Sequence, residues 1–240
     1  MVYGSDAWVI TVLTLGAGLC MALGGLLASV ERIRPDWLDT EFRHFMIALG
    51  GGILLGAVAQ VLLPQGMRQM DNPPLGIACF VAGGVAFFWV ERSMGMRRRE
   101  RPQLMGMLLD FVPESIALGG MVATGSPLAT TLAVLIGLQN LPEGFNAYRE
   151  LVKGQPVRTL MAMVALAFLG PVAGLAGYVV LGGQPEALGA MMLVASGGIL
   201  YLMFQDIAPQ SRLNRHWAPP LGAVLGFAIT MVSETISHAV

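Results

Sequence analysis

LLDFVPESIALGG (Leu108–Gly120) and GLQNLPEGFNAY (Gly137–Tyr148) place acids and amides inside sequence otherwise apolar enough for hydrocarbon. Both carry the order polar–x–x–Pro–Glu. Asp110 and Glu114 are four residues apart, as are Gln139 and Glu143, so each pair shares one helix face. Asn140 precedes Glu143 by three, where the first stretch has Phe111. An ionisable side chain within a bilayer costs roughly 3 kcal/mol or more and is a functional group by default. Pro113 and Pro142 lack an N–H, so the carbonyls of Leu109 and Leu138 lose their helical partners. At membrane depth such carbonyls are tolerated only where protein, water or an ion meets them.

Working outward, the composition demands a membrane. Of 240 residues, 55% are hydrophobic and 12% charged, and mean hydropathy is +0.67; soluble domains carry about 25% charged residues. A soluble globular enzyme, a disordered chain and a nucleic-acid binder are excluded, and a net charge of -1 offers phosphates no polycationic surface. Cys20 and Cys79 stand alone in apolar runs, so neither a thiolate zinc cluster nor a disulfide framework is expected. The 31 glycines follow no period, which suits close helix packing in lipid.

Runs approaching the ~20 residues that span a bilayer occur at Ala7–Val30, Phe45–Leu63, Pro74–Val90, Leu104–Val122, Pro127–Tyr148, Val157–Leu181, Ala187–Gln205 and Trp217–His238. The expected fold is an all-α integral membrane protein with eight transmembrane helices, residues 1–240 forming one polytopic domain. The first run is too long for a cleaved signal peptide and has no basic residue before Arg32.

The charges orient these spans. Arg32, Arg34, Arg43, Arg92, Arg97, Arg98, Arg99, Arg101, Arg149, Lys153, Arg158, Arg212 and Arg215 all fall on one side, and only Arg68 on the other. The positive-inside rule puts the basic side in the cytoplasm and both termini outside a cell membrane. Topology alone accounts for the Arg97–Arg99 run.

QVLLPQGMR (Gln60–Arg68), at the end of the second span, is echoed by QDIAPQSR (Gln205–Arg212), at the end of the seventh. Each places a glutamine four residues before a proline and another directly after it. The two spans run in opposite directions, so the copies are related by inversion, a transporter signature.

The turn near Ala123–Ser126 is very short, so the fourth and fifth spans pack antiparallel and their polar faces can meet. Asp110, Glu114 and Glu143 would then bring three carboxylates together, with Gln139 adding a carbonyl oxygen. Three like charges cannot coexist bare in a low dielectric. Protons or a divalent cation must neutralise them, and oxygen ligands suit Mn²⁺, Fe²⁺, Mg²⁺ or Ca²⁺.

DFVPES and QNLPEG on the fourth and fifth spans, with GGILYLMFQDIAP on the seventh, resemble the ZIP family of divalent metal transporters. The resemblance implies helices one to three and six to eight as inverted repeats around the central pair four and five, moving metal by alternating access. It assigns the metal site to Asp110, Glu114, Gln139 and Glu143. Two departures stand out. Asp110 occupies a position usually held by histidine, and Phe111 and Gly170 stand where ligands of a second metal are found. Asn140 alone cannot hold that second ion, so one mononuclear site is expected. The cargo is a single divalent ion (Mn²⁺, Fe²⁺ or Zn²⁺), with no organic cofactor. With His44, His216 and His238 all near span ends, no nitrogen or sulfur ligand favours zinc by softness.

Gln60, Gln65, Gln205, Asp206 and Gln210 either line an ion path or cap helix ends. Glu234 and His238 are four apart on the last helix, either an ion-loading pair or an ordinary solvated end. Core filling explains the scattered methionines. No nucleophile–base set accompanies Ser115, so an enzyme is not expected. The expected partners are the metal ion and the lipid bilayer, with no nucleic acid, and a homodimer is compatible with the sequence. The alternatives are a proton-coupled carrier of another solute and a non-transporting, metal-sensing relative.

Overall fold

A computed structural model describes residues 2–31, 36–94, 102–213 and 217–239 of the chain. These residues form eight helical rods. α1 is Val2–Val30. α2 begins as Asp36–Ala57, passes through a π-helical stretch, Val58–Leu62, and ends as Leu63–Arg68. α3 is Pro73–Met94, α4 Pro102–Ala123 and α5 Leu128–Leu151. α6 comprises Pro156–Ala167 and Leu169–Leu181, parted at Phe168; α7 is Pro185–Leu202 with a second π-helical stretch, Met203–Ile207, and Ala208–Gln210; α8 is Leu221–Ala239.

The rods follow the eight apolar runs but outlast most of them. α2 continues to Arg68 beyond Leu63, and α7 to Gln210 beyond Gln205. Hydropathy stops where polar side chains begin, whereas the backbone ladder runs on into the amphipathic turns beyond. Among the described residues, six rods are long and apolar enough to cross a bilayer: α1, α2, α3, α4, α6 and α7. Among the described residues of α8 the apolar stretch is Leu221–Ser233. α5 is disqualified by polarity rather than length. Its Gln139, Asn140, Glu143 and Asn146 are buried, as is most of the helix from Ala129 to Tyr148, so those side chains meet protein instead of lipid.

α2, α4, α5 and α7 make the middle of the bundle. α1 packs on α5 and α6, α6 on α4, α3 on α7, and α8 on α2. Along the apolar part of α2, 72% of residues are buried, against 17% along α3, which marks α3 as peripheral. The backbones meet where one partner is glycine. A Cβ on Gly52 would strike the Ala223 backbone, and one on Gly226 the Leu49 backbone. Gly197 meets Phe80 and Gly83 meets Val194 in the same way. Gly24 against Leu141 and Gly144 against Met21 seat α1 on α5; Gly177 against Ile116 and Gly119 against Gly174 seat α6 on α4. In lipid, where apolar side chains gain little by leaving the solvent, such close approach is a main source of helix association.

The α4–α5 turn is closed by Gly125, at φ 65. Its N–H reaches the Val122 carbonyl at 3.0 Å and that of Ser126 reaches Met121 at 2.9 Å, the Schellman arrangement that ends a helix and reverses the chain. At the opposite end, Arg149 Nη2 donates to Glu31 Oε2 at 2.7 Å, and the guanidinium lies 5.2 Å from the Phe145 ring centre. Both partners of this ion pair are partly exposed. Replacing Glu31 with glutamine should therefore lower stability by no more than about 1 kcal/mol, measured as a small shift in thermal unfolding in detergent.

Candidate metal site

All four acid and amide residues on which the sequence centres the site are buried, Asp110, Glu114 and Gln139 almost completely and Glu143 at 9% exposure. Pro113 and Pro142 lie within α4 and α5 without ending either helix. Asn146 Nδ2, one turn on, donates to the Pro142 carbonyl at 2.9 Å.

The four side chains stack as two adjoining layers one helical turn apart. In the first, Gln139 Nε2 donates to Glu114 Oε2 at 2.9 Å. In the second, Asp110 and Glu143 join Asp206 and Gln210 of α7 around a cavity of about 20 Å³. Gly106, Met107, Leu202 and Ile207 complete its walls. That volume holds about one water-sized guest. Asp110 precedes Glu114 by one turn and Glu143 follows Gln139 by one turn. Because α4 and α5 are antiparallel, both acids fall on the same side of the Glu114–Gln139 pair, toward the basic end of the bundle.

The layers remain in electrostatic reach: Asp110 interacts with both Glu143 and Glu114, and Glu114 with Glu143. Acceptors outnumber donors here. Asp110 Oδ1, Glu114 Oε1, Gln139 Oε1 and both carboxylate oxygens of Glu143 are buried without a hydrogen-bond partner. An unpaired buried carboxylate costs several kcal/mol, so this group of oxygens calls for protons or a cation. Among the described residues, no three His, Cys, Asp or Glu side chains close on one metal-holding point; Asp110, Glu143 and Asp206 share a cavity without meeting at its centre.

The remaining candidates separate. Asn140 is buried, but its Nδ2 donates to the Ala17 carbonyl at 2.9 Å, tying α5 to α1. Gln205 is exposed and Gln60 half-buried, and neither lines the cavity. The side chains of Glu234 and His238, and Arg97–Arg99 and His216, lie outside the described residues. Phe111 is fully buried. Its Cζ would lie 3.0 Å from a Cβ on Gly18 and 2.8 Å from one on Gly170, so the ring fills the gap those two glycines leave between α1 and α6.

Two neighbours of Glu143 stand outside the motifs. Asn146 is buried with Oδ1 unpartnered, three residues after Glu143; that spacing was the available signal. Gly50 of α2 packs on Pro142 and Glu143, where a Cβ would lie 3.3 Å and 3.4 Å from their side chains; no motif marks it. No family model matches the chain, and no curated protein matches it.

Proposed function

We propose that this chain carries a divalent metal ion across a cell membrane by alternating access, as its resemblance to the ZIP family implies. One observation carries the reading: carboxylates from three helices, Asp110 on α4, Glu143 on α5 and Asp206 on α7, border a single ion-sized cavity. The three carboxylates among its lining residues, with no histidine or cysteine beside them, favour Mn²⁺ or Fe²⁺ over Zn²⁺. Phe111 stands where the resemblance expects a ligand of a second ion, and its buried ring offers none, which supports a mononuclear site.

The architecture of this reading is eight spans in inverted repeat, α1–α3 with α6–α8, around α4 and α5, with both termini outside. The packing register supports it. Leu49 corresponds to Val194, Gly52 to Gly197, Val58 to Met203, Gln60 to Gln205 and Pro64 to Pro209, each 145 residues on. The correspondence covers the echoed sequence, both π-helical stretches and the glycine contacts of α2 with α8 and of α7 with α3. Likewise Gly24 over Leu141 matches Gly177 over Ile116, and Gly144 over Met21 matches Gly119 over Gly174. That register makes Glu114 the counterpart of Gln139, and these two hydrogen-bond to each other, as residues astride a two-fold axis do. Asp110 and Glu143 correspond instead to Leu135 and Leu118, so the cavity lies off that axis. In this reading the Glu114–Gln139 pair closes the outer side, and the ion leaves past Asp206 and Gln210.

Uptake into proteoliposomes, with Mn²⁺, Fe²⁺ and Zn²⁺ in competition, tests the proposal. Mn²⁺ or Fe²⁺ should win, and a wide margin for Zn²⁺ refutes the ion preference. Protons compete for the same carboxylate oxygens, so uptake should fall as the pH on the loading side is lowered. The lack of a three-ligand convergence among the described residues favours a second reading, a proton-coupled carrier of another solute. Proton flux that needs no metal would select it.

A further inference from the structure

A second cavity, of about 360 Å³, opens where the ends of α4, α5 and α6 meet. Lys153, Gln155 and Arg158 stand among its lining residues, and Leu104, Met163 and Leu166 among its apolar ones; no acidic side chain is among the described residues that line it. Arg158 Nη1 donates to Gln155 Oε1 at 3.2 Å, which steadies the guanidinium. Lys153 has φ 31, a left-handed conformation that glycine adopts more cheaply, and Gly154 follows at φ 79. The turn thus holds a lysine, at a backbone cost, beside the cavity.

The position decides what such a cavity suits. Pro156–Leu181 is long and apolar enough to cross a bilayer; Arg158 sits in its first turn and Lys153 in the turn just before it, while the apolar wall runs along it through Ala162 and Leu166. Positive charge therefore lies at the boundary between water and hydrocarbon, with apolar surface below it. A free phosphate ion would use the charges and leave the apolar wall idle; a phosphate ester on an acyl-bearing lipid uses both. We propose that this cavity is a binding site for an anionic phospholipid, its phosphate between Lys153 and Arg158 and an acyl chain against Leu104, Ala162 and Leu166. The site is separate from the Asp110–Glu143 cavity and does not depend on what that cavity carries.

The test is thermal unfolding of the full chain in a neutral detergent, with added phosphatidylglycerol, phosphatidylcholine or inorganic phosphate. At about a hundredfold excess over Kd, phosphatidylglycerol should raise Tm by about 5–10 °C, with phosphatidylcholine and phosphate near zero. The exposed pair Lys153→Gln and Arg158→Gln should keep the basal Tm and lose this shift. Ala162→Trp, which keeps both cations and fills the cavity, should lose it as well. Equal shifts from the two lipids, or an undiminished shift in either variant at wild-type basal Tm, would overturn the proposal. A shift from inorganic phosphate as large as that from phosphatidylglycerol would overturn the lipid in favour of a soluble anion.

Discussion

Glu143→Gln is expected to abolish divalent-metal uptake while leaving the protein folded. Among the described acids of the cavity, Glu143 has both oxygens buried and unpartnered, so a proton or a bound cation must satisfy it. Removing one partner from a buried charge pair costs roughly 3–5 kcal/mol, and each 1.4 kcal/mol is about tenfold in affinity. Binding should therefore weaken by about a hundredfold or more. Glutamine keeps the shape and removes the charge, so the metal-free variant should melt at or above the wild-type temperature, because sites built for function carry local instability. Uptake by Glu143→Gln at wild-type rate would remove Glu143 from the site. A lowered melt would show that its role is in packing.

The second large effect concerns the fold. Gly197→Leu should unfold or prevent assembly of the protein, and Gly52→Leu should do the same. A Cβ at either position runs into the backbone of the facing helix, Phe80 for Gly197 and Ala223 for Gly52. Overpacked side chains cost about 1–3 kcal/mol, and a backbone cannot turn aside as a side chain can, so the cost here should exceed that range. Gly16 is the control, since a Cβ there meets nothing within 4 Å. Gly16→Ala should be neutral or should stabilise by up to about 1 kcal/mol through helix propensity. Yield of folded protein and thermal unfolding in detergent measure all three. If Gly197→Leu and Gly52→Leu behave alike, the equivalence of α7 and α2 gains support; if one is tolerated and the other not, the two interfaces are unequal.

Much of the fold was legible because lipid constrains sequence so strongly. Eight apolar runs mark the eight rods, and the short turn before Pro127 required α4 and α5 to be antiparallel. The glutamine–proline echo flagged the ends of α2 and α7, though not the π-helical stretches that precede Pro64 and Pro209. Pro64 and Pro209 remove the N–H partners of the Gln60 and Gln205 carbonyls, but a missing donor does not by itself distinguish a π-helical stretch from a simple kink. That α4 and α5 carry acids and amides inside the bundle was legible; how those side chains are arranged was not. Sequence spacing matched Glu114 with Glu143, because both follow a proline. Packing pairs Glu114 with Gln139 instead, one turn away, because the register between antiparallel helices is set by tertiary packing and not by motif position. Asp206 of α7 was expected along a path or as a helix-end cap, and it lines the cavity with Asp110 and Glu143. Contacts between distant helices carry no local signature, and for that reason Asn140, which reads as a site residue, serves as a tie to Ala17.

Metal content decides the central claim most directly. Purified protein, incubated with Mn²⁺ and washed free of unbound ion, should carry one divalent ion per chain by elemental mass spectrometry, and the combined Asp110→Asn and Glu143→Gln variant, folded by its melt, should carry none. Wild-type protein that retains no metal under any divalent ion offered, or a variant that retains as much as the wild type, would contradict it.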